Sequence, residues 1–149
     1  MNHQRVLPPT CLCIAILLIV TVHLLFPGVT FKLIPWGILG LVPLGLGIIL
    51  NLVADSVFKD KSTTVKPFQE SKVLITTGVF SISRNPMYLG FILILTGIGL
   101  LLGSVTPFFI VLFFWFFLKQ YYIVAEERML EKQFQADWHI YRKKVRRWI

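Results

Sequence analysis

The chain alternates between long apolar blocks and short polar connectors, without the mixed polar and apolar faces of a soluble helical protein. Four blocks, 10–26, 33–54, 87–102 and 108–124, carry no Asp, Glu, Lys or Arg until Lys119, and each approaches the length a helix needs to cross hydrocarbon. They predict four transmembrane helices. The polar segment 58–72, with Ser62-Thr63-Thr64 and Lys66-Pro67-Phe68, lacks helical periodicity and reads as a loop joining two spans, placed where it could also cover a ligand. Val73-Leu74-Ile75 is a short apolar patch suited to the interface, and Thr77-Gly78 reads as a turn.

The third block opens on Ser83-Arg84-Asn85-Pro86-Met87-Tyr88. Asn85 suits a helix N-cap and Pro86 the first helical position, where a missing N–H costs nothing, so a helix is expected to begin here and enter the bilayer. Residues 103–107 form a turn, and 108–124 return. At a rise of ~1.5 Å per residue both arms are about 25 Å long, which brings Glu126 and Glu127 back to the interface that holds Arg84. Beyond Val124 the apolar positions become Leu130, Phe134, Trp138, Tyr141, Val145 and Trp148, the spacing of an amphipathic helix over 125–147, with Arg142, Lys143, Lys144, Arg146 and Arg147 at its far end. Such a helix anchors to anionic lipid, and can at the same time wall a cytoplasmic cavity.

Composition sharpens this into an all-α integral membrane protein, four transmembrane helices with a cytoplasmic amphipathic C-terminal helix, in one domain over 1–149. With 56% hydrophobic and 15% charged residues, an ordinary soluble core is excluded. Arg5 precedes the first block, but no small-residue cleavage pattern follows it, so the block is read as a span and not a signal peptide. Lys32 is the one cation between the first two spans, the hairpin turn has none, and the remaining cations lie on the N-terminal tail, between spans two and three, or from Lys119 onward. The positive-inside rule then puts both termini in the cytoplasm, and it accounts for the net charge of +8 with no nucleic-acid partner.

Other residues carry less chemistry. Cys11 and Cys13 point to different faces of a helix and read as small apolar residues, while His3, His23 and His139 have no metal-ligand spacing, so no metal is expected. His23, Asn51 and Asp55 are read as hydrogen-bonded structural groups. Gly37, Gly40, Gly45 and Gly47 permit close helix contact, and the aromatic run from Phe108 to Phe117 is a lipid-facing or packing surface. Glu126 and Glu127 leave two readings open: a solvated pair supported by Arg128, Glu131 and Lys132, or a site in which one carboxylate binds an ammonium while Arg84 or the adjacent helix start binds a carboxylate.

Three stretches together resemble the bacterial branch of the isoprenylcysteine carboxyl methyltransferase family, which is related to membrane phospholipid methyltransferases. They are Thr63-Thr64-Val65-Lys66-Pro67-Phe68, the run from Thr77-Gly78 through Arg84-Asn85-Pro86-Met87-Tyr88 to Gly90, and the run from Glu126-Glu127-Arg128 to Phe134 with Trp138, Tyr141 and Arg146-Arg147-Trp148. The resemblance implies an enzyme of the bacterial inner membrane that uses S-adenosyl-L-methionine at the cytoplasmic face and methylates a lipid or other lipophilic small molecule. It also implies that Arg84, Asn85, Pro86, Met87, Tyr88, Glu126, Glu127 and Tyr141 bind the cofactor and that Arg84 and Glu127 are catalytic. Asn85 stands where the eukaryotic enzymes of the family have a histidine, as it does in many bacterial relatives, and Gln135 stands where a glycine usually follows Phe134. A carboxylate acceptor needs no general base, and no dedicated base is evident, which points toward carboxyl O-methylation or an already ionised nucleophile. A nicotinamide-dependent enzyme like the sterol reductases and a non-enzymatic membrane adaptor are the alternatives.

Overall fold

The computed structural model describes residues 6–30, 36–60 and 73–149. The polar stretches quoted above at Ser62-Thr63-Thr64 and Lys66-Pro67-Phe68, together with Arg5, Lys32 and the predicted start of the second span, lie outside the described residues. Within them the chain is all helical, with one isolated antiparallel bridge, Thr30 to Ser104, and no strand. Helix α1 spans Pro8–Leu25, α2 Leu41–Asp60, α3 Pro86–Leu102, α4 Thr106–Leu118 and α5 Val124–Lys144; short 3-10 turns precede α2 (Trp36–Gly40) and α3 (Gly78–Ser81). Three helical runs, Pro8–Leu25, Gly37–Asp60 and the one that begins at Thr106, are long and apolar enough to cross a membrane, and Pro86–Leu102 is apolar but shorter.

Antiparallel α2 and α3 meet backbone to backbone. A Cβ placed on Gly47 would lie 2.5 Å from the Gly90 carbonyl oxygen, and one on Gly40 would lie 2.6 Å from that of Gly97. Gly40, which ends the 3-10 turn leading into α2, and Gly47 are seven residues apart, as are Gly90 and Gly97 of α3, nearly two full turns of α-helix, so both pairs fall on one seam. Among apolar lipid tails helix association rests on packing, and a seam of this kind replaces side-chain bulk with direct backbone contact. Gly45, by contrast, faces open space.

On its other side α3 meets α1 and α4. Ala15 and Ile19 of α1, Tyr88, Phe91 and Leu95 of α3, and Val111, Phe114 and Leu118 of α4 form the main buried cluster. Leu17 and Leu24 of α1, Leu46 of α2, and Phe109 and Phe113 of α4 face outward, the arrangement expected of surfaces that meet lipid.

The third-to-fourth turn is tied to the chain that follows α1. Gly103 adopts the left-handed conformation (φ 67°) that ends α3. Fully buried Ser104 holds its hydroxyl 2.7 Å from His23 Nδ1, the Val105 N–H donates to the Val29 carbonyl (3.1 Å), and the Thr106 hydroxyl donates to the Pro27 carbonyl (3.3 Å).

α4 does not stop at the fourth predicted boundary. It passes through a π-helical turn, Lys119–Ile123, directly into α5. One extra residue in that turn rotates everything after it by about 100° relative to an uninterrupted α-helix. α5 then breaks at Gln135 (φ 39°, ψ −105°) and ends at Lys144, where Val145 turns extended. The predicted unbroken helix over 125–147 is therefore two helical pieces and an extended tail. The apolar positions were placed correctly: Trp138, Tyr141 and Val145 are buried with Leu74, Leu130 and Phe134, so this face packs on the protein itself.

Candidate functional site

Three segments converge at the end of the α3–α4 hairpin that is remote from Ser104. The chain entering α3 brings Ser83, Arg84 and Asn85; the start of α5 brings Glu126 and Glu127; the C-terminal tail brings Arg147. Asn85 occupies the N-cap position of α3, and Pro86 is its first residue, as expected. Asn85 does not cap the helix, however. Its side-chain amide donates to the Arg147 carbonyl (3.1 Å), and its backbone N–H donates to the Ser83 hydroxyl (3.2 Å). The Ser83 hydroxyl in turn donates to the Arg147 carbonyl (3.3 Å), and the Arg84 N–H donates to the Arg146 carbonyl (3.0 Å). The tail is thus pinned across the helix start by the Asn85 side-chain N–H, and α3 has no side-chain cap.

Glu127 lies at the centre. Arg147 approaches it as a fork, Nε donating to Oε1 at 3.1 Å and Nη2 to Oε2 at 2.6 Å. Arg84 makes a single contact, Nη2 to Oε1 at 3.2 Å. The side chains of Arg84 and Glu127 are only 7% and 11% exposed, so theirs is an interior ion pair, while that of Arg147 is 28% exposed. A cluster of two guanidiniums and one carboxylate carries an excess of one positive charge in a poorly solvated place. Burial pulls the Arg84 guanidinium below its ordinary pKa, with Glu127 opposing the shift, whereas the hydrogen bonds to Glu127 raise that of Arg147.

Two donor atoms of Arg84, Nε and Nη1, are buried without any hydrogen-bond partner, and so is Trp138 Nε1. The Arg84 guanidinium sits over the Trp138 ring, its carbon 5.5 Å from the centroid. The unmet groups around Arg84 are all donors; the other buried unpartnered atom among the described residues, the acceptor Asn51 Oδ1, lies on α2 where it packs against Gly90. Leaving a buried donor unpaired costs about 1–3 kcal/mol, and more for a charged one, so the spot around Arg84 is built to receive an acceptor-rich group such as a carboxylate.

Glu126 has a different environment. Its Oε1 accepts a hydrogen bond from the Tyr88 hydroxyl at 2.6 Å, and no cation within salt-bridge distance faces it among the described residues. The Tyr122 ring, buried in the π turn, lies 6.1 Å from that of Tyr88, and its hydroxyl donates to the Val6 carbonyl and sits 3.3 Å from Cys11 Sγ.

Of the residues singled out in the sequence, the structure therefore brings together Arg84, Asn85 and Glu127, and sets the Tyr88–Glu126 pair beside them. Pro86 and Met87 are turned to packing, Met87 against Ala54, Ile75 and Phe80. The Tyr141 hydroxyl donates to the Phe80 carbonyl (2.6 Å), bracing the turn before α3, and its ring abuts Trp138. Tyr141 also lines an open groove of about 580 Å³ with Leu74, Thr76, Ser81, Asp137, Ile140, Lys144 and Val145, a volume in the range of small-molecule sites. The groove and the charged cluster are neighbours and not one cavity lining: of the predicted residues the groove includes Tyr141 alone. Sequence reasoning did not assign Ser83, Trp138 or Arg147 to the site. Arg147 had one usable signal, since it lies between the apolar positions Val145 and Trp148 in an otherwise outward-facing basic run.

Residues 36–137, more than half of the chain, match the family model described as phospholipid methyltransferase. The chain belongs to the phospholipid methyltransferase family. The fold is also that of a solved eukaryotic intramembrane Ras methyltransferase, isoprenylcysteine carboxyl methyltransferase, with a TM-score of 0.67 at 24% identity over 97% of this chain. This chain spans about half, 52%, of that protein's length. A comparison with curated protein sequences gives no match. Neither match favours the reductase-like or adaptor alternative.

Proposed function

We propose that the chain is an S-adenosyl-L-methionine-dependent methyltransferase of the bacterial plasma membrane, acting on a lipophilic acceptor at the cytoplasmic face. One observation carries this beyond family membership: a buried patch of unmet donors, Arg84 Nε and Nη1 with Trp138 Nε1, and, next in the chain to the Glu127 that contacts Arg84, a carboxylate, Glu126, with no cation within salt-bridge distance among the described residues. The amino-acid end of the methyl donor bears a carboxylate and an ammonium, and the two parts of the cluster suit those two groups.

The geometry divides the roles. Glu127 is already held by two guanidiniums, so it orients Arg84 and is the less available partner for an ammonium. Glu126, bonded to a neutral hydroxyl through one oxygen, has the other for that ammonium. Arg84 takes the carboxylate, with Trp138 alongside. Asn85 fastens the strap, Pro86 and Met87 seat the start of α3, and Tyr141 braces the turn before it. When bound, the donor supplies a sulfonium-activated methyl group; the chain aligns it and excludes water, which can account for much of the acceleration of an in-line displacement. With Glu126 given to the ammonium and Glu127 to the arginines, no described residue of the site is left as a dedicated base, which supports an acceptor that arrives ionised, such as a carboxylate.

This reading carries a topology: four membrane crossings in a single domain, with both termini, the start of α3 and α5 at the cytoplasmic face. Purified protein in lipid nanodiscs is expected to bind S-adenosylmethionine calorimetrically, with Arg84→Ala and Glu126→Gln each weakening it by about tenfold or more, the loss expected for a charge-assisted hydrogen bond. Unaltered affinity in both variants, with the fold intact, would remove the proposal. Methyl-labelling of total lipid by membranes with and without the protein then identifies the acceptor class.

A further inference from the structure

The C-terminal strap raises a question that the roles above leave open: why should one buried carboxylate be held by two arginines? A carboxylate and a guanidinium pair best as a fork, through two parallel hydrogen bonds. Arg84 is denied that geometry. It reaches only Oε1 of Glu127, at 3.2 Å, while Arg147 takes both oxygens, at 3.1 and 2.6 Å. Arg147 is delivered there by fixed backbone and not by a loose tail. The carbonyls of Arg146 and Arg147 accept from Arg84, Asn85 and Ser83, Val145 is buried, and Trp148 packs 6.0 Å from the Trp115 ring. Neighbouring Arg146 is exposed, so the strap turns one of its two arginines inward and one outward.

We infer that Arg147 is a positioning residue: by occupying Glu127 as a fork it stops that carboxylate from closing on Arg84, and so keeps two Arg84 donors directed at an anionic ligand group. Without Arg147, Oε2 of Glu127 becomes free, and Arg84, with two unmet donors in a desolvated site, swings onto it. The ligand carboxylate then competes with an internal one. The inference rests on the proposed methyl-donor site and assigns a mechanism to a residue outside it.

The test uses full-length protein in nanodiscs, with S-adenosylmethionine and its decarboxylated analogue as probes. Arg147→Ala is expected to weaken S-adenosylmethionine by about tenfold and the analogue by less than about twofold, since the analogue lacks the group that Arg84 receives. Adding Glu127→Gln to Arg147→Ala removes the competitor, so the double variant recovers to within about threefold of Glu127→Gln alone. Arg147→Lys, which keeps the charge but not the fork, falls between wild type and Arg147→Ala and serves in place of Arg147→Ala if that variant does not fold. Equal weakening of both probes, or losses that simply add in the double variant, overturns the inference and leaves Arg147 as a structural tie. Arg84→Ala with unchanged affinity for S-adenosylmethionine instead removes the donor site itself, whatever Arg147 does.

Discussion

The two ends of the α3–α4 hairpin both bury polar groups, yet only one leaves them unmet. At the turn, the Ser104 hydroxyl is paired with His23, and the Val105 N–H and Thr106 hydroxyl with carbonyls before them. No unpartnered buried side-chain atom lies there among the described residues. At the opposite end, the cluster around Glu127 is enclosed at Arg84 and Glu127 and partly open at Arg147, and it keeps three donors without acceptors. Burial of polarity by itself is a poor guide to function, because satisfied groups such as His23 and Ser104 are ties between helices. What separates the ends is the sign of the residue left over: surplus donors, on a surplus positive charge, define what a ligand must bring.

Removing Glu127 breaks the comparison most severely. Glu127→Ala leaves two guanidiniums facing each other in a desolvated site, a change of the class that costs about 3–5 kcal/mol. Thermal unfolding in detergent is expected to show a large loss, and unfolding close to wild type would mean that the cluster is wetter than its geometry implies. The next largest effect concerns what supports that end. A Cβ on Gly90 would lie 2.1 Å from Asn51 Nδ2 and 2.8 Å from the Gly47 carbonyl oxygen, so Gly90→Val forces α2 and α3 apart just inside the start of α3. A loss of about 2–3 kcal/mol is expected, with donor binding weakened as well, whereas Gly45→Ala in open space changes neither. Equal tolerance of both substitutions would show that the glycine seam is not what holds α3 in place.

These variants also mark what the sequence could and could not disclose. Apolar blocks and the Asn85-Pro86 start made the helices and the hairpin legible, because chain length and charge exclusion act locally. Spacing likewise placed Trp138, Tyr141 and Val145 on one face. It could not tell that this face packs on Leu74 and not on lipid, since either partner asks for the same period. Gly45 and Gly47 look alike in sequence, and only the phase of α2 against α3 separates the open position from the contact. Arg147 was hidden for a similar reason: a basic run predicts an exposed face, and its one inward member depends on the break in α5 and the extended backbone at Val145.

Ser104→Ala tests the satisfied end. It leaves His23 Nδ1 without its partner inside the bundle, which is expected to cost about 1–2 kcal/mol while leaving S-adenosylmethionine affinity unchanged. A change in affinity would mean that the two ends are coupled through α3 and would undo the separation drawn above.

The smallest expected effect lies at Gln135 and bears on how the strap is delivered. Its φ of 39° falls in the region that L side chains adopt at a cost and glycine adopts freely, in line with the family resemblance that places a glycine after Phe134. Gln135→Gly removes this local strain at the expense of a more flexible unfolded chain, and the first effect is the larger where φ is positive, so stability should rise by up to about 1 kcal/mol. Gln135→Val should lower it, because a β-branched residue fits that backbone worst. If instead Val were tolerated and Gly neutral, α5 would have to run straight through position 135. The tail would then leave in another direction, and Arg147 could not reach Glu127 along the path described here. Thermal shifts of the two variants, read beside the affinity of each for S-adenosylmethionine, therefore test whether the bend in α5 is what brings the strap to the site.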